Sequence, residues 1–166
     1  MYEKDDLIFY GSTGVYRVED IGPIRHIRGY DPEKNYYKLS SLRRGEVTYV
    51  PVDTGVYMRP VIDRGAAEDL LERAAELEER VCDSRDPRVL REHYRKELES
   101  HSCEELFRLI KSVNAKGRQA AKQGKRLGKT DQEYKKRAEH LLGEELSVAL
   151  EIPLESVQDV LAQALR

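Results

Sequence analysis

The spacing of apolar residues changes near residue 60. Before it, short apolar runs alternate with turn residues. Leu7-Ile8-Phe9-Tyr10 is stopped by Gly11-Ser12-Thr13-Gly14. Val15 to Ile21 forms a second run, with Val15, Tyr16, Val18 and Ile21 giving most of its bulk, and Gly22-Pro23 ends it. A segment around Ile24 to Tyr30 leads to a turn at Asp31-Pro32-Glu33. Tyr36-Tyr37-Lys38-Leu39 and Val47-Thr48-Tyr49-Val50 flank Arg43-Arg44-Gly45, the composition of a hairpin loop. β-Branched and aromatic residues bounded by Gly, Pro and Asp predict strands.

After Gly65 the period becomes helical. Leu70, Ala74, Leu77 and Val81 recur every three or four residues. Asp86-Pro87 supplies an N-cap and a proline at the first helical position, and Leu90, Tyr94 and Leu98 line the face that follows. Ser102-Cys103-Glu104-Glu105 and Thr130-Asp131-Gln132-Glu133 read as capping boxes. The first opens a stripe of Leu106, Leu109, Ile110 and Val113. The second opens one of Tyr134, Ala138, Leu141, Leu142 and Leu146, with Gly124 and Gly128 between the two. Ile152-Pro153 starts a last helix carrying Val157, Val160, Leu161 and Leu165. The expectation is an α+β chain: a small β-barrel of the SH3 or Tudor type over residues 1–62, then about five helices over 63–166.

Charge sharpens this picture. Apolar residues make up 39% of the 166 and charged residues 36%, with a net charge of only −2. That balance hides segregation. Asp63 to Arg80 holds seven acids and three bases; Arg108 to Arg137 holds eleven bases against Asp131 and Glu133, a net of +9. A field of that size attracts phosphates at long range. A solvated helix face, with bases favoured near a helix C-terminus, accounts for part of it. No run of about 18 apolar residues is present, so no membrane span is expected. The start, with Glu3, Asp5 and Asp6, lacks the basic-then-apolar pattern of a secretory signal, and a cytoplasmic location is expected. Cys82 and Cys103 have no CxxC spacing and only four histidines occur, so neither metal nor other cofactor is expected. GxSxG, HExxH and GxxxxGK[ST] are all absent, and the expectation is a protein without enzymatic activity.

Several segments together resemble the CarD and CdnL bacterial transcription regulators and the polymerase-interacting domain of transcription-repair coupling factors. Phe9-Tyr10-Gly11-Ser12-Thr13-Gly14-Val15 is similar to the family's V-Y-P-x-H-G, with the proline and histidine replaced. Arg25-His26-Ile27-Arg28-Gly29 resembles its R-x-I-x-G, and Tyr36-Tyr37-Lys38-Leu39 its Y-x-x-L strand. Val50-Pro51-Val52 with Met58-Arg59-Pro60-Val61-Ile62, and Ala138-Glu139-His140-Leu141-Leu142 with Glu144-Glu145-Leu146, resemble its later segments. A coupling factor continues into a large helicase, so the standalone regulator is the expected match.

The resemblance implies a Tudor-like domain that binds the RNA polymerase β subunit and a helical domain that lies on promoter DNA and holds it open. It implies polymerase contact through Arg25, Ile27 and Arg28. It also implies contact at Tyr49, which stands where the family has a second arginine. In the family a tryptophan wedges into the minor groove. This chain has none, and counting back from Tyr94 puts Leu90 in that place, flanked by Arg91 and Arg95. Leu90 is either a wedge or the start of the buried stripe Leu90, Tyr94, Leu98. With Lys129, Lys135 and Lys136 from the basic run, these residues are the expected DNA contacts. The alternative is a polymerase-binding module that makes no DNA contact. A monomer is expected, with no membrane partner.

Overall fold

Strand β1 (Leu7–Tyr10) turns through Gly11, at φ +52°, into β2 (Gly14–Gly22), pairing Phe9 with Val15 and Ile8 with Tyr16. Glycine suits that turn because a side chain strains the left-handed backbone. β3 (Tyr36–Ser41) and β4 (Val47–Pro51) form the expected hairpin, closed by Ser41 N–H to Glu46 O at 2.8 Å. β5 (Met58–Pro60) returns to β1. The result is one antiparallel sheet in the order β4-β3-β2-β1-β5. It does not close, and β4 and β5 are its edges. Short strands followed by helices match the α+β expectation, whereas a barrel requires a pairing between those edges that is not made. β5, three residues long and ending in proline, offers little ladder for one.

Ile8, Tyr16, Val18, Tyr37, Leu39 and Val50 form the core on one face of this sheet, with Tyr2, Tyr10, Ile21, Val52 and Met58 packed around them. A bulge between Val18 and Asp20 shifts the β2–β3 register. The extra residue, Glu19, accepts the Ser40 hydroxyl at 2.5 Å. The segment from Ile24 to Tyr30 adds no strand. It runs as bends and turns, with Ile24 buried and Arg25 to Gly29 exposed.

The computed structural model describes residues 1–165 and divides the chain into two compact units, Met1–Val61 and the helical part from Ile62 onward. In the second unit α1 (Arg64–Arg73) is capped by Asp63, whose side chain accepts the Ala66 N–H at 2.7 Å. α1 gives way to a 3-10 turn over Ala74–Glu76, so the predicted stripe stops short of Val81. α2 (Pro87–Glu99) and α3 (Cys103–Lys122) begin at the expected caps, Asp86 and Ser102. α4 (Lys129–Leu150) has Gly128 as its N-cap, with no side-chain cap, two residues ahead of the predicted Thr130 cap. α5 is Leu154–Ala164.

α4 is the centre of this unit and packs against α1, α2, α3 and α5. Its Ala138, Leu142 and Leu146 are buried, as are Phe107, Leu109 and Ile110 of α3 and Val157 of α5. Gly143 faces α5, where a Cβ would meet Val157 Cγ1 at 3.4 Å, an ordinary van der Waals contact. Arg64 of α1 donates to Leu150 O at 2.9 Å, closing the C-terminal end of α4 where Glu151 turns at φ +56°. Among the described residues no helix is long and apolar enough to cross a membrane.

Candidate functional site

The predicted polymerase-contact residues lie in one part of the sheet unit. Arg25, Ile27 and Arg28 are exposed on the loop after β2, Ile27 at 38%. Tyr49 lies on the edge strand β4. The two are tied through Tyr30, whose ring centroid is 5.6 Å from that of Tyr49 and 5.3 Å from that of Tyr36, edge to face in both cases. Such aromatic pairs hold a loop against a strand with defined geometry. Beside them, β4 has no second strand partner, and Leu42 and Val47 at its hairpin end are exposed. An edge with unpaired N–H and C=O groups is a template for another chain.

In the helical unit, the basic run sorts into two groups. Arg108, Lys111 and Lys116 are built into the fold. Lys111 Nζ donates to the carbonyls of Ala74, Ala75 and Leu77 at 2.6–3.2 Å, covering the end of the 3-10 turn. Arg108 donates to Glu78 O at 3.0 Å and pairs with Glu105. Lys116 Nζ donates to Ser84 O and to Asp131 Oδ1, both at 3.0 Å. Arg118 lies 3.7 Å from Glu79. Lys122, Lys125, Arg126, Lys129 and Lys136 are exposed and have no ion pair among the described residues. These five, together with Arg137, keep their charge free of ion pairs among the described residues, and a count of bases along the chain does not separate the two groups.

Asp131 is the hub of the unit. It is 2% exposed, and Oδ1 accepts the Tyr94 hydroxyl at 2.5 Å as well as the Lys116 ammonium. Burial, and then the Asp131 carboxylate, push the Tyr94 phenol well above its usual range, so it stays a donor. Tyr94 also stacks on Tyr134 at 5.3 Å, and Arg137 lies 5.2 Å over the Tyr134 ring. These contacts tie α2, with Arg91 and Arg95, to α4, with Lys129, Lys135 and Lys136. Arg91 and Lys136 are exposed and unpaired among the described residues. Arg95 bonds Glu92 at 2.7 Å, and Lys135 lies 3.7 Å from Glu139.

Leu90 is buried at 3% exposure and lines a cleft beside α2. The stripe account of this residue therefore fits, and an inserting side chain would need the surface. The exposed apolar residue at this helix end is Val89, at 48%, next to the still more exposed Arg88. Helical spacing carries the signal: Leu90 falls on the Tyr94–Leu98 stripe, and Val89 falls 100° off it.

One buried pair gives the unit a dependence on pH. His93 Nε2 lies 2.7 Å from Glu97 Oε1, one helical turn along α2. Burial pushes the Glu97 carboxyl up to about 7; Glu105 adds to the shift, while Arg80 and Arg108 oppose it. Burial pushes the His93 imidazole below its ordinary 6.5, against a backbone hydrogen bond at Arg80. Native Glu97 holds a proton that the unfolded chain releases near 4.5, so its contribution to stability is lost as pH rises through about 7. His93 acts oppositely, but only below 6.5. Urea denaturation should therefore show stability falling from pH 6.5 through about 7, and Glu97→Gln should remove the fall. A flat wild-type profile in that window would contradict the assignment.

Among the described residues no three His, Cys, Asp or Glu side chains are grouped so as to hold a metal ion. Comparison of the chain with protein-family models and with curated proteins gives no match.

Proposed function

We propose that the chain is a non-enzymatic bacterial transcription regulator of the CarD type. Its sheet unit, a Tudor-like domain in this reading, docks on the RNA polymerase β subunit. Its helical unit contacts promoter DNA. The observation that carries the reading is the division of surfaces between two units with separate cores. One presents an open β4 edge beside Arg25, Ile27, Arg28 and Tyr49. The other presents exposed, unpaired cations on α4 and the loop before it. The mechanism is tethering: docking raises the local concentration of the helical unit at the DNA, so weak phosphate contacts suffice. The open complex gains stability to the extent that these contacts favour the melted form.

Within this reading, DNA contact falls to Arg91, Lys129 and Lys136, with a smaller share for Arg95 and Lys135, whose charges are already partnered. Leu90 is left out because it is buried. That burial favours a second reading, a polymerase-docking module without DNA contact.

Salt dependence separates the two. The first reading predicts weak duplex binding by the free chain, with Kd of about 10⁻⁴ to 10⁻⁶ M. If about three phosphates are engaged, the slope of log K against log salt is about −2.7. Reversing Lys129, Lys135 and Lys136 to glutamate should flatten the slope, with Lys135 contributing least. A slope unchanged in the triple variant would show that these lysines only face solvent.

A further inference from the structure

The helical unit contains a cleft of about 580 Å³ that polymerase docking does not require and that shares Lys125, Arg126 and Lys129 with the cationic surface described above. It lies among the segment leading into α2, the C-terminal half of α3, and the loop from α3 to α4. We propose that this cleft binds a nucleoside di- or triphosphate.

Its volume is in the range of small-molecule sites, about 300–1,000 Å³. Its lining carries two chemistries. Arg85, Lys125, Arg126 and Lys129 line it, are exposed, and have no ion pair among the described residues. The fifth cation, Lys116, is already matched by Asp131, and Asp131 is further satisfied by Tyr94. The internal charges therefore cancel, and only Asp83 opposes the four remaining cations. Four bases facing one cleft are more than a single phosphate needs and suit a di- or triphosphate.

α4 adds backbone donors on the same side. Gly128, Lys129 and Thr130 line the cleft, and this first turn has no side-chain cap. Free N–H groups at a helix start favour phosphate.

The rest of the lining suits an organic body. Leu90, Ala120 and Leu127 give apolar wall, and the amides of Gln119 and Gln123 offer both donors and acceptors to a base edge. A free phosphate would leave that wall unused. A duplex is a convex rod and does not enter a concave site of this size. The Lys116–Asp131–Tyr94 bonds hold two of the lining side chains, Lys116 and Asp131, in place, so the ligand meets a formed site.

The test is isothermal titration of the full chain with ATP, GTP, ADP and inorganic pyrophosphate at constant ionic strength. One-to-one, saturable binding of a nucleotide is expected, with pyrophosphate at least tenfold weaker. Lys125→Glu with Arg126→Glu, both at exposed positions, should weaken nucleotide binding at least tenfold. Arg43→Glu, a charge reversal in the sheet unit, should leave it unchanged. Absence of saturable binding by every nucleotide would overturn the proposal. So would equal binding of pyrophosphate, which would reduce the cleft to a simple anion site, or equal loss on Arg43→Glu, which would make the effect one of net charge. Duplex binding is followed in parallel with the Lys136→Glu variant. Its failure would bear on DNA contact alone and leave the nucleotide result standing.

Discussion

Asp131→Ala should lower the stability of the helical unit by about 3–5 kcal/mol, the usual cost of breaking a buried ion pair from one side. The carboxylate is almost fully enclosed and serves two donors at once, the Lys116 ammonium at 3.0 Å and the Tyr94 hydroxyl at 2.5 Å. Without it, Lys116 keeps only the Ser84 carbonyl, and Tyr94 loses the Asp131 acceptor. A loss of that size is a large share of the ~5–15 kcal/mol that holds a typical domain together. The double variant Asp131→Ala with Lys116→Met should recover part of the loss, because an apolar pair carries no stranded charge. Chemical denaturation of the single and double variants measures both effects. If the double variant is no more stable than the single, the buried charge is not the cause.

Leu90→Ala should cost roughly 2–5 kcal/mol, the range for truncating a core leucine. The residue lies in the first turn of α2, where its N–H reaches Asp86 O at 3.0 Å, and its side chain is buried beside α3. Val89→Ala, one position away and half exposed, should change stability by no more than about 0.5 kcal/mol. The contrast separates a core leucine from an inserting one. A Leu90→Ala protein with an unchanged melting temperature and a shortened open-complex lifetime would show that Leu90 acts at the DNA after all.

Most of the secondary structure is legible in the sequence because local signals agree there. Asp86-Pro87 and Ser102 are caps with a mechanism, and both begin helices as expected. The misreadings come from tertiary terms. Val81 continues the spacing of Leu70 and Leu77. Even so, the chain leaves the helix after Arg73, where Lys111 of α3 collects the freed carbonyls. Thr130 looks like a cap, but the N-cap of α4 is Gly128, which places Thr130 inside the first turn, and Asp131 is turned inward to Lys116 and Tyr94. Sheet closure depends on how two edges meet, which no local pattern encodes. For the candidate site, the basic run is visible as a total, while its division into structural and unpaired cations rests mostly on partners 15 to 39 residues away. The cleft cations Lys125 and Arg126 were visible only as members of that run.

In the proposed function the sheet unit docks on RNA polymerase. The direct measurement is the affinity of the full chain for purified bacterial RNA polymerase core enzyme, by surface-immobilised binding, for wild type, Arg25→Glu and Lys136→Glu. Saturable binding is expected, weakened by Arg25→Glu by at least about 1.4 kcal/mol, a tenfold loss, and left nearly unchanged by Lys136→Glu in the absence of DNA. No saturable binding, or binding that survives Arg25→Glu and is lost with Lys136→Glu, would contradict that docking.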